Sequence, residues 1–238
     1  MNITIYNEFI HEKNEQRIAD VYPKGIHEQL KSFIESDENK VTCITLDNIA
    51  TDMTDELINS TDVMIWWGHM GHHLVPDEIA VKVQNAVLSG MGIIFLHSAH
   101  HSKPFKLLMG TPCNLGWRED KDYERLWVCN PAHPIAKGIG RCITLAHEEV
   151  YSEPFMIPEP DELVFIGAYE GGEAMRSGCC YKRGYGKVFY FQPGHESFPT
   201  YYNKDIQTVI LNAIEWAKPN YRGILGCPHI DPLPPVER

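Results

Sequence analysis

The segment GIIFLHSAHHSKPF, Gly92 to Phe105, leaves an apolar run and places His97, His100 and His101 within five positions. VMIWWGHMGHH, Val63 to His73, does the same with His69, His72 and His73. FQPGHES brings His195 and Glu196 to the end of another apolar run, and LAHEEVY carries His147, Glu148 and Glu149. Imidazoles and carboxylates move protons near neutral pH and ligate first-row divalent ions. His97, His195 and one of the adjacent pair Glu148 and Glu149 form the candidate catalytic set. With His69 in reserve, the same residues are candidate metal ligands. Imidazole with carboxylate suits zinc, manganese or iron better than calcium or magnesium, and a catalytic zinc takes three protein ligands and keeps one open position. Zinc is the expected cofactor. Glu148 and Glu149 alternate along a strand, so only one can face the site. Ser98 points away from the strand end, which does not favour a Ser-His hydrolase. His72, His73 and His101 read as solvated or supporting residues, His11, His27 and His229 as surface, and His133 as structural.

These residues need a scaffold that gathers strand ends. Asn2–Tyr6, Lys40–Leu46, Asp62–Trp67 and Gly92–Leu96 read as strands. Between them, the spacing predicts a helix over Lys24–Glu35, a short one from Thr54, and one opened by Pro76 and stopped by Gly90. Continuous apolar strands alternating with helices give a parallel sheet covered on both faces, with its ligands beyond the carboxyl ends. Further strands are expected over Arg125–Asn130, Cys142–Val150, Glu162–Tyr169, Met175–Arg183 and Gly186–Gln192. A hairpin turns at Gly184–Gly186, and a helix runs over Asn203–Ala217. Residues 1–218 read as one domain. Residues 219–238 form a Pro-rich extended tail, lying over the chain's own surface or that of a neighbouring copy.

The 238 residues are 43% hydrophobic and 22% charged, as in ordinary globular proteins. Lys and Arg number 21 against 32 Asp and Glu, a net charge of −11 with no basic run, which argues against a nucleic-acid partner. The seven cysteines include no CxxC pair and read as buried free thiols of a reducing compartment. MNITIYNEF lacks the features of a secretory leader and no apolar run approaches a membrane span, so a cytoplasmic location is expected. The loop NEFIHEKNE lacks a Ser/Thr/Gly phosphate cradle, so neither flavin nor nucleotide is expected. The acidic surface and the tail are compatible with a homo-oligomer.

GIIFLHSAH resembles the nucleophile elbow of class I glutamine amidotransferases, where a strand turns sharply into a helix. His97 stands at the cysteine position of that elbow and His100 at the later histidine. QPGHES resembles the His-Pro-Glu element, with His195 at the general base, and the segment from Gly68 resembles the oxyanion loop. Without the cysteine, thiolate glutamine hydrolysis is excluded. The branch carrying LHSA at this turn is the ThuA-like, or trehalose utilisation, family. The resemblance spans most of the chain: the W-x-H region at Trp67–His69, LHSAH, HPIAKGI at His133–Ile139, EEVY at Glu148–Tyr151, and GKVFYFQPGHE. It implies a flavodoxin-like domain and a role in disaccharide or keto-sugar catabolism, with a carbohydrate as the small-molecule partner. It matches Glu149 to the second acid of the family pattern. On that reading Trp66, Trp67, His69, His100 and Tyr151 are candidate substrate contacts, with Trp117 a further aromatic that could stack on a sugar.

Two classes of function follow. One is an enzyme isomerising, epimerising or hydrolysing a sugar-derived substrate, with a metal polarising a carbonyl or hydroxyl. The other is a non-catalytic carbohydrate-responsive or scaffolding protein on an amidotransferase-like fold. Filling the elbow region with His and acid groups, rather than apolar ones, favours the enzyme.

Overall fold

A computed structural model describes residues 1–235. Its nine strands are β1 (Asn2–Asn7), β2 (Lys40–Thr45), β3 (Val63–Trp67), β4 (Gly92–Leu96), β5 (Gly116–Val128), β6 (Cys142–Ser152), β7 (Glu162–Tyr169), β8 (Ala174–Arg183) and β9 (Gly186–Phe191). They form one sheet in the order β2-β1-β3-β4-β9-β8-β7-β5-β6. The first five in that order are parallel and the rest antiparallel. β4 lies centrally, between β3 and β9, with every residue buried. The two faces of the sheet carry separate apolar clusters, one holding Ile65, Trp67 and Ile94, the other Met64, Trp66 and Phe95.

The helices are α1 (His11–Asn14), α2 (Gln16–Val21), α3 (Ile26–Ile34), α4 (Ile49–Asp52), α5 (Asp55–Ser60), α6 (Asp77–Ser89), α7 (Lys103–Met109) and α8 (Lys204–Ala217). Side-chain caps start several of them: Thr54 accepts from Leu57 N–H, Ser102 from Phe105 N–H, and Asn203 from Asp205 and Ile206 N–H. Pro76 caps α6 rather than occupying its first turn. Gly90 ends α6 at φ 129°, where a Cβ would lie 2.2 Å from the Tyr221 carbonyl. One strand extends beyond the sequence expectation, and four short helices are additional to it. β5 begins at Gly116, because WREDKDYE pairs with β6 although it has no apolar alternation to announce it. α1, α2, α4 and α7 are too short for a 3.6-residue pattern to mark. Tail residues 224–235 are irregular and exposed, and 236–238 lie outside the described residues.

Candidate active site

His97 ends β4 at a sharp turn into the short helix His97–His101, and its φ of 53° is left-handed. Such a conformation costs a non-glycine residue about 1–2 kcal/mol. It is the strained elbow that the sequence resemblance implies, with an imidazole in place of the thiol. His97 is fully buried. Its Nδ1 lies 3.0 Å from the Gln192 carbonyl oxygen, which can only accept, so Nδ1 carries the proton. Nε2 faces Glu149 Oε2 at 3.0 Å and Tyr151 Oη at 3.4 Å. A ring nitrogen and a carboxylate oxygen this close require a shared cation, either a proton or a metal ion.

β3, β4 and β9 are neighbours, so His69, His97 and His195 emerge side by side. Their ring centroids lie 5.9 Å (His69–His97), 5.2 Å (His69–His195) and 5.3 Å (His97–His195) apart. His69 Nδ1 donates to Glu196 Oε1 at 2.8 Å, which leaves Nε2 free. His11 bonds the same carboxylate oxygen. Burial favours the neutral form of Glu196, but His11 and His69 outweigh it and hold the carboxyl far below its usual range. His11 is correspondingly raised, chiefly by its hydrogen bond to Glu196. His69 is raised as well, because Glu196 outweighs the effect of burial.

His195 is different. Its Nδ1 accepts from the Ser197 N–H at 3.1 Å, so the neutral ring keeps its proton on Nε2. Burial pulls its pKa down to about 4, only partly offset by Glu196. At neutral pH His195 is therefore an uncharged N–H donor.

The two adjacent glutamates divide as strand alternation requires. Glu149 meets His97. Burial raises its pKa, but the bond to His97 and the neighbouring imidazoles outweigh this and lower it. Glu148 points away and accepts from Gly194 N–H at 3.1 Å, His195 N–H at 3.0 Å and Thr200 Oγ1 at 2.8 Å. It holds the turn that carries His195. β6 lies five places from β4 in the sheet, yet Glu149 touches His97. The β5–β6 and β7–β8 ladders between them carry register shifts, and irregularities of that kind increase strand twist.

Donor atoms of His69, Glu149 and His195 lie within 4.8 Å of one another, as do those of His97, His195 and Glu196. Glu149, Tyr151, His69, His72, His100 and Ser98 line a cavity of about 360 Å³, whose outer wall includes Trp117, Leu115 and Asn114. His100 is buried in the wall and donates to the Cys113 carbonyl at 2.7 Å. Ser98 Oγ is committed to the Gly68 carbonyl at 2.7 Å.

Several expectations are corrected. Trp66 and Trp67 are fully buried and do not line this cavity. They alternate on a central strand covered on both faces, so each fills a different core, and Trp67 Nε1 donates to Gly194 O. Trp117, 68% exposed, is the indole at the cavity mouth. His11 supports Glu196 instead of lying free on the surface. His27 is buried and accepts from Asn7 Nδ2 at 3.0 Å. His147 stays outside the cluster, against the Lys121 carbonyl. Glu8 was not singled out in the sequence, though it sits at the end of β1. It accepts from the backbone N–H groups of His69 and Met70 at 2.8 Å each and Gly71 at 2.7 Å.

Fold and site together define an α/β protein with a mixed nine-stranded sheet whose central strand ends in a buried histidine at a left-handed turn. The chain belongs to the ThuA family, described as trehalose utilisation, whose model matches residues 2–217. No curated protein sequence matches it. Among solved structures it is similar to a ThuA-like protein from Parabacteroides merdae ATCC 43184, at 14% identity, TM-score 0.68 and coverage of 93% of this chain and 91% of that one. A ThuA-like protein from Bacteroides uniformis ATCC 8492 shares 15% identity with TM-score 0.65, covering 91% and 90% respectively. A protein described as cytoplasmic from Salmonella typhimurium LT2 shares 14% identity with TM-score 0.62, covering 92% and 100%. At these identities the likeness concerns the fold alone. Among the described residues, no helix is long and apolar enough to cross a membrane.

Proposed function

We propose that this chain is an enzyme of disaccharide or keto-sugar catabolism that moves protons on a sugar-derived substrate beside a bound divalent cation, with zinc the favoured ion. The observation that carries this reading is the buried His97–Glu149 contact at 3.0 Å, with the other nitrogen of His97 already donating to a carbonyl. Two ligands about 2.1 Å from a shared ion are themselves roughly 3.0–3.4 Å apart, so the pair suits one metal. His69 supports the same reading, because Glu196 fixes its tautomer as a carboxylate does for a metal-bound imidazole. His97 and Glu149 therefore hold the ion; His69 completes the set only if its ring closes on that pair, since the donor set within 4.8 Å that joins His69 to Glu149 holds His195 and not His97. His195 would have to surrender its Ser197 bond to ligate through Nε2, and instead offers an N–H hydrogen bond beside the pair. When bound, the cation would polarise a carbonyl or hydroxyl of the substrate. Trp117 offers a sugar face something to stack on. Seven free thiols and the described neighbour from Salmonella support a cytoplasmic setting.

Elemental analysis of untreated protein tests the reading. About one zinc-class ion per chain is expected, lost in His97→Ala and His69→Ala and kept in His195→Ala. No metal in wild-type protein would leave an acid/base pair without an ion. Metal loss in His195→Ala alone would exchange the assigned roles. The non-catalytic reading gains if wild-type protein turns over none of a panel of keto-sugars while metal is bound.

A further inference from the structure

The cavity continues into a second chamber of about 410 Å³, sharing His69, Met70, His72 and His101 and adding His73, Lys103 and Lys106. Taken together they fall within the size of an ordinary ligand site, with room for a group beyond the reacting ring. The lining of this second chamber contains no Asp or Glu, in a chain whose net charge is −11. Its two ammonium groups are not equivalent. Lys103 is committed to the Val75 carbonyl at 2.6 Å and Asp77 Oδ1 at 2.5 Å. Lys106, half-buried on α7, makes no side-chain hydrogen bond or ion pair among the described residues. His72 Nε2 is buried without a partner. Burial, assisted by the neighbouring His101, pulls the pKa of His72 down to about 3, so it is a neutral ring able to donate one N–H. An uncommitted ammonium lines this chamber beside an imidazole whose buried Nε2 has no partner, a pair complementary to an oxyanion.

We propose that the substrate carries an anionic group, a carboxylate or a phosphate, which the second chamber receives against Lys106 and His72 while the sugar ring occupies the first. This rests on the reading of the first chamber as a site for a sugar-derived substrate. It makes Lys106 a specificity-determining residue and separates an acidic sugar from a neutral disaccharide as the ligand class.

The test is calorimetric titration of full-length protein with glucose, glucuronate and glucose 6-phosphate, alongside metal analysis of the same preparations. At least one anionic sugar should bind roughly tenfold or more tightly than glucose. The preference should shrink with added NaCl. Glucuronate alone binding tightly identifies a carboxylate ligand, glucose 6-phosphate alone a phosphate. Lys106→Gln should bring the anionic-to-neutral affinity ratio close to one, and Lys106→Arg should restore it, with thermal melts showing that both variants fold. Glucose binding as tightly as both anionic sugars, no anionic sugar binding at millimolar concentration, or a ratio unmoved in Lys106→Gln would each overturn the proposal. Anion preference in metal-free protein would sink the metal reading alone. Bound metal without anion preference would sink this inference alone.

Discussion

Glu8 is 2% exposed and collects three backbone N–H groups from the turn that presents His69. Those three N–H groups point into one turn, and a carboxylate of the chain fills them. Glu8→Ala would leave three donors without their acceptor, so a loss of about 2–4 kcal/mol is expected from denaturant unfolding, together with weakened metal retention. A second buried carboxylate, Glu124, is fully buried beside Gly167, where a Cβ would lie 2.5 Å from its Oε1. Neither of its oxygens has a hydrogen-bond partner among the described residues. Burial first, then the charge of Glu148, holds its pKa well above the usual carboxylate range. The folded state therefore keeps this proton after the unfolded chain has lost it. Stability from Glu124 is complete below pH ~4.3, declines by up to about 1.4 kcal/mol per pH unit above that, and is gone once the folded group ionises. Glu124→Gln should match wild type in unfolding at pH 4 and exceed it at pH 8. Equal stability at both pH values would contradict this. The histidines of the site were legible because each closes an apolar run. Glu8 and His11 were not, since nothing local distinguishes a carboxylate that a loop 61 residues away will use, or an imidazole that a carboxylate 185 residues away will use.

At the level of elements, the parallel half of the sheet was readable because buried strands and their helices announce themselves by apolar runs and punctuation. β3, β4 and β9 are adjacent, so the meeting of His69, His97 and His195 follows from strand order and a spacing of about 4.8 Å. Glu149 does not follow that way. It arrives from the far end of the sheet, along a ladder in which β5 shifts register between Arg118 and Asp122 and again before Glu124. Such shifts leave little trace in WREDKDYE. The elbow itself makes a prediction. His97 is held at φ 53°, where glycine is at ease and alanine is not. In chelator-treated protein, His97→Gly should unfold at higher denaturant than His97→Ala by about 1 kcal/mol, although glycine is the poorer choice elsewhere. The reverse order would mean that the turn relaxes once the imidazole is gone.

Across the whole molecule, the body and the tail obey different rules. All seven cysteines are free, with Cys113, Cys179 and Cys180 buried and Cys129 and Cys227 exposed. The body closes two apolar clusters around a sheet, whereas Ile224, Leu225, Ile230 and Leu233 stand 72%, 50%, 79% and 89% exposed. Among the described residues the tail is tied to the body at its beginning. Gly223 N–H donates to the Ser89 carbonyl at 2.8 Å, Arg222 Nη2 approaches Asp62 at 3.6 Å, and the Tyr221 and Tyr185 rings meet at 5.1 Å. These contacts lie at the end of α6 that leads into β4, away from the carboxyl ends of the strands where the cavity opens. Among the described residues beyond Gly223 the aliphatic side chains are at least half exposed, and burial of apolar area is what stabilises a fold. Removing residues 224–238 should therefore leave the melting temperature of the monomeric body within about 2 °C of the full chain, since 1 kcal/mol corresponds to roughly 2–4 °C at this size. Removing 219–238 should cost more, because it takes away the Tyr221, Arg222 and Gly223 contacts. Calorimetric melts of the two truncations at several protein concentrations decide the matter. If the shorter deletion lowers the melting temperature by more than a few degrees only at high concentration, the tail's aliphatic residues are buried between copies of the chain; a loss independent of concentration would mean that they pack on their own body.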